Sequence, residues 1–89
     1  MRLKKGFVLR EVCGEKVIVG EGLGALDFGR LLSLNESAAW LWEEAVRQGD
    51  FTAETLAGAL YETYEVDEAE ALKDVEHILE QWRSVNVLE

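Results

Sequence analysis

The side chains with the greatest potential for chemistry occur singly in this sequence, since His77 is its only histidine and Cys13 its only cysteine. A zinc site normally needs three or four cysteine, histidine or carboxylate ligands. Nucleophilic catalysis needs a base beside the nucleophile and a third group that orients this base, and no motif surrounds the few hydroxyls. The sequence therefore predicts no metal, no cofactor and no disulfide. We expect His77 to lie at the edge of the apolar stripe of a helix.

Two other patterns admit a chemical interpretation. The carboxylate pairs Glu43 with Glu44 and Glu76 with Glu80 could supply an acid and a base, but nothing indicates a cleft that would shift their pKa values. The glycines within Gly20–Gly24 resemble a phosphate-binding loop, which acts by directing backbone amides and a helix N-terminus at the anion. Here the glycines precede a strand, and no lysine lies nearby. We interpret these patterns as solvated charge and a connecting loop, and predict that the protein is not an enzyme.

The net charge of −9 is unevenly distributed. Residues 1–34 carry six cations and four anions (net +2), whereas residues 35–89 carry three cations and fourteen anions (net −11). Nucleic-acid binding requires clustered lysine and arginine to neutralise phosphates. The last two predicted helices have helix-turn-helix spacing, but the second of them is strongly acidic. The sequence therefore excludes nucleic acid as a partner, and the less acidic first part leaves room for an acidic peptide.

Length and hydropathy predict one domain and no membrane partner. No apolar run approaches the roughly 20 residues that a membrane span needs. The basic amino terminus continues into a charged, strand-like stretch, unlike a signal peptide. A lone cysteine points to a reducing compartment, so we expect a cytoplasmic protein. Its 89 residues lie within the usual size of a single domain, and we assign residues 1–89 to one domain.

Strand patterns precede helix patterns along the chain. Residues 7–12 and 16–19 predict a β-hairpin and residues 28–34 a third strand. Three helices are predicted over residues 35–48, 52–64 and from 67 to a stop at Asn86. Because three short strands cannot cover themselves, the helices must pack on one face of the sheet. The predicted fold class is α+β: a winged-helix-like domain with a three-stranded antiparallel sheet followed by three helices.

Local signals in the helical part give more specific expectations. Asn35 suits an N-cap, Phe51 with Leu56 a hydrophobic staple, and Asp67 with Glu70 a capping box. The third helix has the clearest apolar stripe, at positions 71, 72, 75, 78, 79 and 82. Trp40 lies off the inner face of the first helix. It either packs against the sheet or a neighbouring helix, or forms an exposed contact surface.

Two segments resemble the signature of the PqqD family. Residues 32–43, LSLNESAAWLWE, show its hydrophobic strand, Leu-Asn, small helical turn, and aliphatic residue followed by Trp. Residues 74–82, DVEHILEQW, and then residues 86–88, NVL, are similar to the last helix and short tail of that family. The family commonly has glycine where this chain has Asn86, and both residues tolerate a left-handed conformation.

The resemblance implies a recognition element for ribosomally made, modified peptides. Such a peptide chaperone binds the leader of a precursor peptide and presents it to a modifying enzyme, often a radical S-adenosylmethionine protein, as in pyrroloquinoline quinone synthesis. In the family the leader adds as a strand beside the third strand, in a groove whose other side is the third helix. The implied peptide-binding residues are Leu31, Leu32, Ser33, Asp74, His77, Ile78 and Gln81.

The hydrogen-bonding capacity of an edge strand is consistent with leader binding by strand addition, because a free sheet edge is a template for another strand. The alternative is a protein–protein interaction or homodimerisation module of the same fold, whose edge pairs with a second copy and which has no precursor peptide.

Overall fold

Three strands precede three helices, as the sequence predicts. The structure, a computed structural model, describes residues 1–20 and 30–89, and the side chains of these except residues 30 and 31. The elements are β1 (Phe7–Val12), β2 (Glu15–Gly20), β3 (Arg30–Leu34), α1 (Glu36–Gln48), α2 (Ala53–Thr63) and α3 (Glu68–Ser84). The predicted α+β class is confirmed. Most of the predicted glycine loop, and the predicted first two residues of the third strand, lie outside the described residues.

The sheet is antiparallel, in the order β1-β2-β3. Cys13 and Gly14 both have positive φ, 53° and 81°, as a two-residue type I′ hairpin turn requires. On the other side of β2, Ile18 pairs with Leu32, while Val19 pairs with residue 30. Leu31 is thus the extra residue of a β-bulge. Among the described residues β3 pairs with β2 alone, which leaves its other edge open.

Two tryptophans form the centre of the core. Trp42 of α1 and Trp82 of α3 are both fully buried and meet edge to face, with ring centroids 5.2 Å apart. The α3 stripe contributes Val75 and Leu79, which are buried as predicted, and Leu72, which is half-buried against the same cluster. The core therefore joins α3 to the rest of the fold through large side chains.

Helix ends follow local chemistry with one exception. Asn35 Oδ1 accepts a hydrogen bond from the Ala38 amide at 2.8 Å, and Thr52 forms a reciprocal capping box with Thr55. The capping box predicted at Asp67 is wrong, because the Asp67 side chain makes no capping hydrogen bond. The first turn of α3 instead carries two carboxylates, which stabilise a helix N-terminus through its dipole without a cap.

The last residues return to the first ones. Asn86 has a φ of 64°, the left-handed stop that the sequence predicts. Val87 and Leu88 are then buried, and Leu88 forms an isolated antiparallel bridge with Leu3. The Lys4 amide donates to the Val87 carbonyl at 2.8 Å. The two ends of the described chain thus close one side of the core.

Glu44 differs from its predicted solvated role. Its carboxylate is nearly buried, forms an ion pair with Arg47 and accepts a hydrogen bond from Gln48 Nε2 at 2.9 Å. The Arg47 guanidinium lowers the pKa of Glu44 below 4.5, against the opposing effect of burial, and Gln48 adds to the lowering. Gln48 Oε1 also accepts from Thr55 Oγ1 at 2.7 Å. The network therefore connects the end of α1 to the start of α2.

We expect Glu44→Gln to lower the free energy of unfolding by about 1 kcal/mol at pH 7. The folded-state pKa of Glu44 is depressed, so its stabilisation is present above about pH 4.5 and is lost as the pH falls through the folded value. Urea unfolding from pH 7 to pH 3 measures this difference. Glu43→Gln, at the exposed neighbouring position, is the control. A gap between wild type and Glu44→Gln that persists unchanged at pH 3 would contradict the network.

Candidate functional site

A groove of about 580 Å³ lies between the end of β3 and the exposed side of α3. One wall is formed by α3 and the opposite rim by Ser33 and Asn35. The floor comes from α1, the end of α2 and the connection that follows it. The lining residues are Ser33, Asn35, Ser37, Ala38, Leu41, Leu60, Tyr64, Val66, Asp74, His77, Ile78 and Gln81.

The α3 wall follows from helical periodicity. Its four lining residues follow the spacing i, i+3, i+4 and i+7 and therefore share one face. The neighbouring face carries the buried core residues of α3. Ile78 lies at the boundary, since it lines the groove and also packs, half-buried, against the core. A single helix thus anchors the fold with one face and presents the groove wall with the next.

The floor of the groove is apolar, whereas its rim is polar. Leu41 and Leu60 are buried beneath it, and Val66 packs half-buried beside them. Tyr64 forms part of the lining, and Trp40 meets the Tyr64 ring edge to face at a centroid distance of 5.6 Å. Of the two interpretations of Trp40, packing is the one that the structure shows, because the side chain is half-buried against the core. Trp40 therefore contacts one lining residue of the groove without lining it itself.

Five of the seven predicted site residues line this groove: Ser33, Asp74, His77, Ile78 and Gln81. Leu32 does not, because its side chain is half-buried against the core, on the opposite side of the strand from Ser33. The backbone of Leu31 belongs to β3, but its side chain lies outside the described part. That these residues bind a peptide remains a prediction.

Sequence reasoning missed the floor of the groove. Leu41, Leu60 and Val66 come from three separate segments and meet only in the folded chain. A weak signal exists in Tyr64-x-Val66, an apolar pair placed in the connection between two helices. The sequence alone gives no reason to join it to α1, so the floor depends on tertiary packing.

The groove is weakly anionic. Asp74 is the one carboxylate among its described lining residues, His77 is the one imidazole, and none is lysine or arginine. No group of three or more histidine, cysteine or acidic residues in the described part is arranged to hold a metal ion. No helix in the same part is long and apolar enough to cross a membrane.

Comparison with solved structures defines the class of fold. The chain is similar to the structure described as "TbiB1 in Complex with the TbiA(beta) Leader Peptide", with a TM-score of 0.73 and 18% sequence identity. The alignment covers 100% of this chain and 95% of that one. The two proteins therefore share the fold of three strands followed by three helices.

The family follows from the sequence. The model of the family "Coenzyme PQQ synthesis protein D (PqqD)" matches residues 15–88, more than four-fifths of the chain. The chain belongs to the PqqD family, and the resemblance found in its sequence is confirmed. No curated protein matches the sequence.

Proposed function

We propose that this chain binds an extended leader segment of a precursor peptide and performs no chemistry of its own. One observation carries the proposal: the open edge of β3 ends beside a groove whose opposite wall is α3. Family membership supports it, as does the shared fold with TbiB1, whose structure is that of a complex with a leader peptide.

Strand addition explains how such a site gains affinity. No described residue outside β2 pairs with β3, and a peptide that pairs with the backbone N–H and C=O groups of its outer edge extends the sheet by one strand. Backbone hydrogen bonds are indifferent to sequence, so the choice of peptide depends on side-chain pockets. The apolar floor of the groove offers such a pocket beside the strand.

We also propose an accessory role in which the bound peptide is presented to a modifying enzyme, such as a radical S-adenosylmethionine protein. The groove supports a binding role, since its described lining contains one carboxylate and one imidazole and no further acid, base or thiol apart from the Tyr64 phenol.

We treat residues 1–89 as a single domain, because one buried cluster includes side chains from Ile18 through Leu88.

The test uses a peptide chosen by the protein itself. A randomised library of 15-residue peptides is selected on the full chain, and the tightest binder, here termed the selected peptide, is titrated by fluorescence anisotropy. We expect Ile78→Ala to weaken binding by about tenfold, because it removes apolar contact area worth about 1.4 kcal/mol from the groove.

Leu72→Ala is the matched control. Leu72 is also a half-buried residue of α3 packed on the core, but it lines a different cleft, between α2 and α3. Both variants should lose similar stability, and only Ile78→Ala should lose affinity. Equal losses of affinity would refute the groove as the site. If no peptide is selected and sedimentation velocity shows a dimer that Ile78→Ala dissociates, the homodimerisation module replaces the proposal.

A further inference from the structure

We infer that the groove selects a peptide in which lysine or arginine lies two residues from an apolar side chain, and that Asp74 binds this cation. The inference rests on the proposed function and specifies the class of its ligand. The inferred ligand is thus basic, whereas the charge distribution along the sequence suggested an acidic peptide.

The charge of the groove itself differs from that of the sheet. The excess of cations in residues 1–34 suggested an acidic partner, yet the groove wall belongs to α3, in the acidic part of the chain. Asp74 is exposed and lines the groove, and no lysine or arginine lies among the described lining residues. Lys73 is adjacent in sequence, but consecutive helical residues project about 100° apart, and Lys73 is absent from the lining.

The residues near the groove are also negatively charged. Glu65 lies between the lining residues Tyr64 and Val66. Glu70 precedes Asp74 by one turn on the same face of α3. Both glutamates are exposed. A concave site with a carboxylate in its lining and further acids beside it concentrates cations and repels carboxylates.

The dimensions set the spacing of the ligand. From Asp74 to Gln81 the wall of α3 extends about 10 Å, at about 1.5 Å per residue. An extended peptide rises about 3.3 Å per residue, so about three of its residues face this wall, and side chains two apart point to the same side. One of the two enters the apolar floor near Ile78, and the other reaches Asp74. An ammonium or guanidinium group is the donor that a carboxylate binds most strongly.

The test compares three synthetic versions of the selected peptide. The apolar anchor of the peptide is found by replacing its residues with alanine one at a time. It is the position where alanine lowers the affinity for the wild-type protein but does not lower the affinity for Ile78→Ala any further. Versions with Lys, Gln or Glu two residues from the anchor are titrated at 0.15 M salt. We expect the order Lys, Gln, Glu, with about fivefold between Lys and Gln, the upper range for a partly exposed ion pair.

Asp74→Asn should remove the preference for Lys over Gln. Asp74→Lys should reverse the order. Glu76→Gln is the control, because it removes the same charge two residues further along α3, where side chains do not face those at Asp74. It should preserve the preference.

The two proposals fail in different ways. If no peptide binds, or if binding is insensitive to Ile78→Ala, the proposed function fails. If a peptide binds through Ile78 but the Gln or Glu version binds as tightly as the Lys version, the charge inference alone is overturned. A preference that survives Asp74→Asn and is lost in Glu76→Gln overturns it as well.

Discussion

A single proline in β3 should weaken peptide binding severely while the protein remains folded. Consecutive residues of a strand direct their backbone N–H groups to opposite sides, one toward each neighbouring strand. Of Leu32 and Ser33, therefore, one donates toward β2 and the other faces the open edge. Proline at the open-edge position removes a donor that the peptide requires and places a ring where the peptide approaches.

The loss should be on the order of 100-fold, because a carbonyl of the bound peptide remains unsatisfied at a cost of about 2–3 kcal/mol. Leu32→Pro and Ser33→Pro are compared by circular dichroism and then by anisotropy with the selected peptide. We expect one variant to lose sheet structure and the other to stay folded but bind weakly. The corresponding pair on the opposite edge strand, Arg10→Pro and Glu11→Pro, is the control. Its folded member should bind as the wild type does. A folded β3 variant with unaltered affinity would eliminate strand addition.

Trp82→Ala should cause the largest loss of stability. The side chain is fully buried and meets Trp42 at 5.2 Å, so its removal leaves a cavity at the junction of α1 and α3. Such truncations cost about 3–5 kcal/mol, a large part of the roughly 5–15 kcal/mol that holds a small domain folded. Because α3 also forms the groove wall, peptide binding should fail together with the fold.

Trp82→Phe separates packing from polarity at this site. The indole N–H of Trp82 is buried and has no hydrogen-bond partner among the described residues. Phenylalanine keeps an aromatic ring and removes that unpaired donor, so part of the cavity cost is offset. Urea unfolding should place Trp82→Phe closer to the wild type than to Trp82→Ala. A phenylalanine variant as unstable as the alanine variant would show that the full indole shape is required.

Local patterns predicted the elements but not how they meet. The strand pattern of β1, the Asn35 cap and the α3 stripe depend on neighbours within a few residues, and the structure has all three. The bulge at Leu31 depends on the register with β2, which no pattern within β3 specifies. The capping box predicted at Asp67 did not form, and the first turn of α3 carries acidic residues without a side-chain cap.

The candidate site shows the same division. Periodicity places Asp74, His77, Ile78 and Gln81 on one helical face, and family resemblance gives that face a role. Glu44 was expected in solvent, but its carboxylate is nearly buried and is paired with Arg47 and Gln48. The sign of the charge in the groove also could not be predicted from the charge distribution along the chain. The helix that forms the groove wall belongs to the acidic second part of the sequence, whereas β3 belongs to the first part. The residues on one face of a helix follow from local sequence, whereas a groove and its charge depend on tertiary packing.

Amide hydrogen exchange followed by NMR tests the central claim most directly. The full chain is compared with and without the selected peptide, and protection is measured along β3 and along the outer edge of β1. We expect the open-edge amides of β3 to become protected by at least tenfold at saturating peptide, while the outer amides of β1 exchange as before. Protection confined to β1, or saturated binding with no change in β3, would contradict strand addition at this edge.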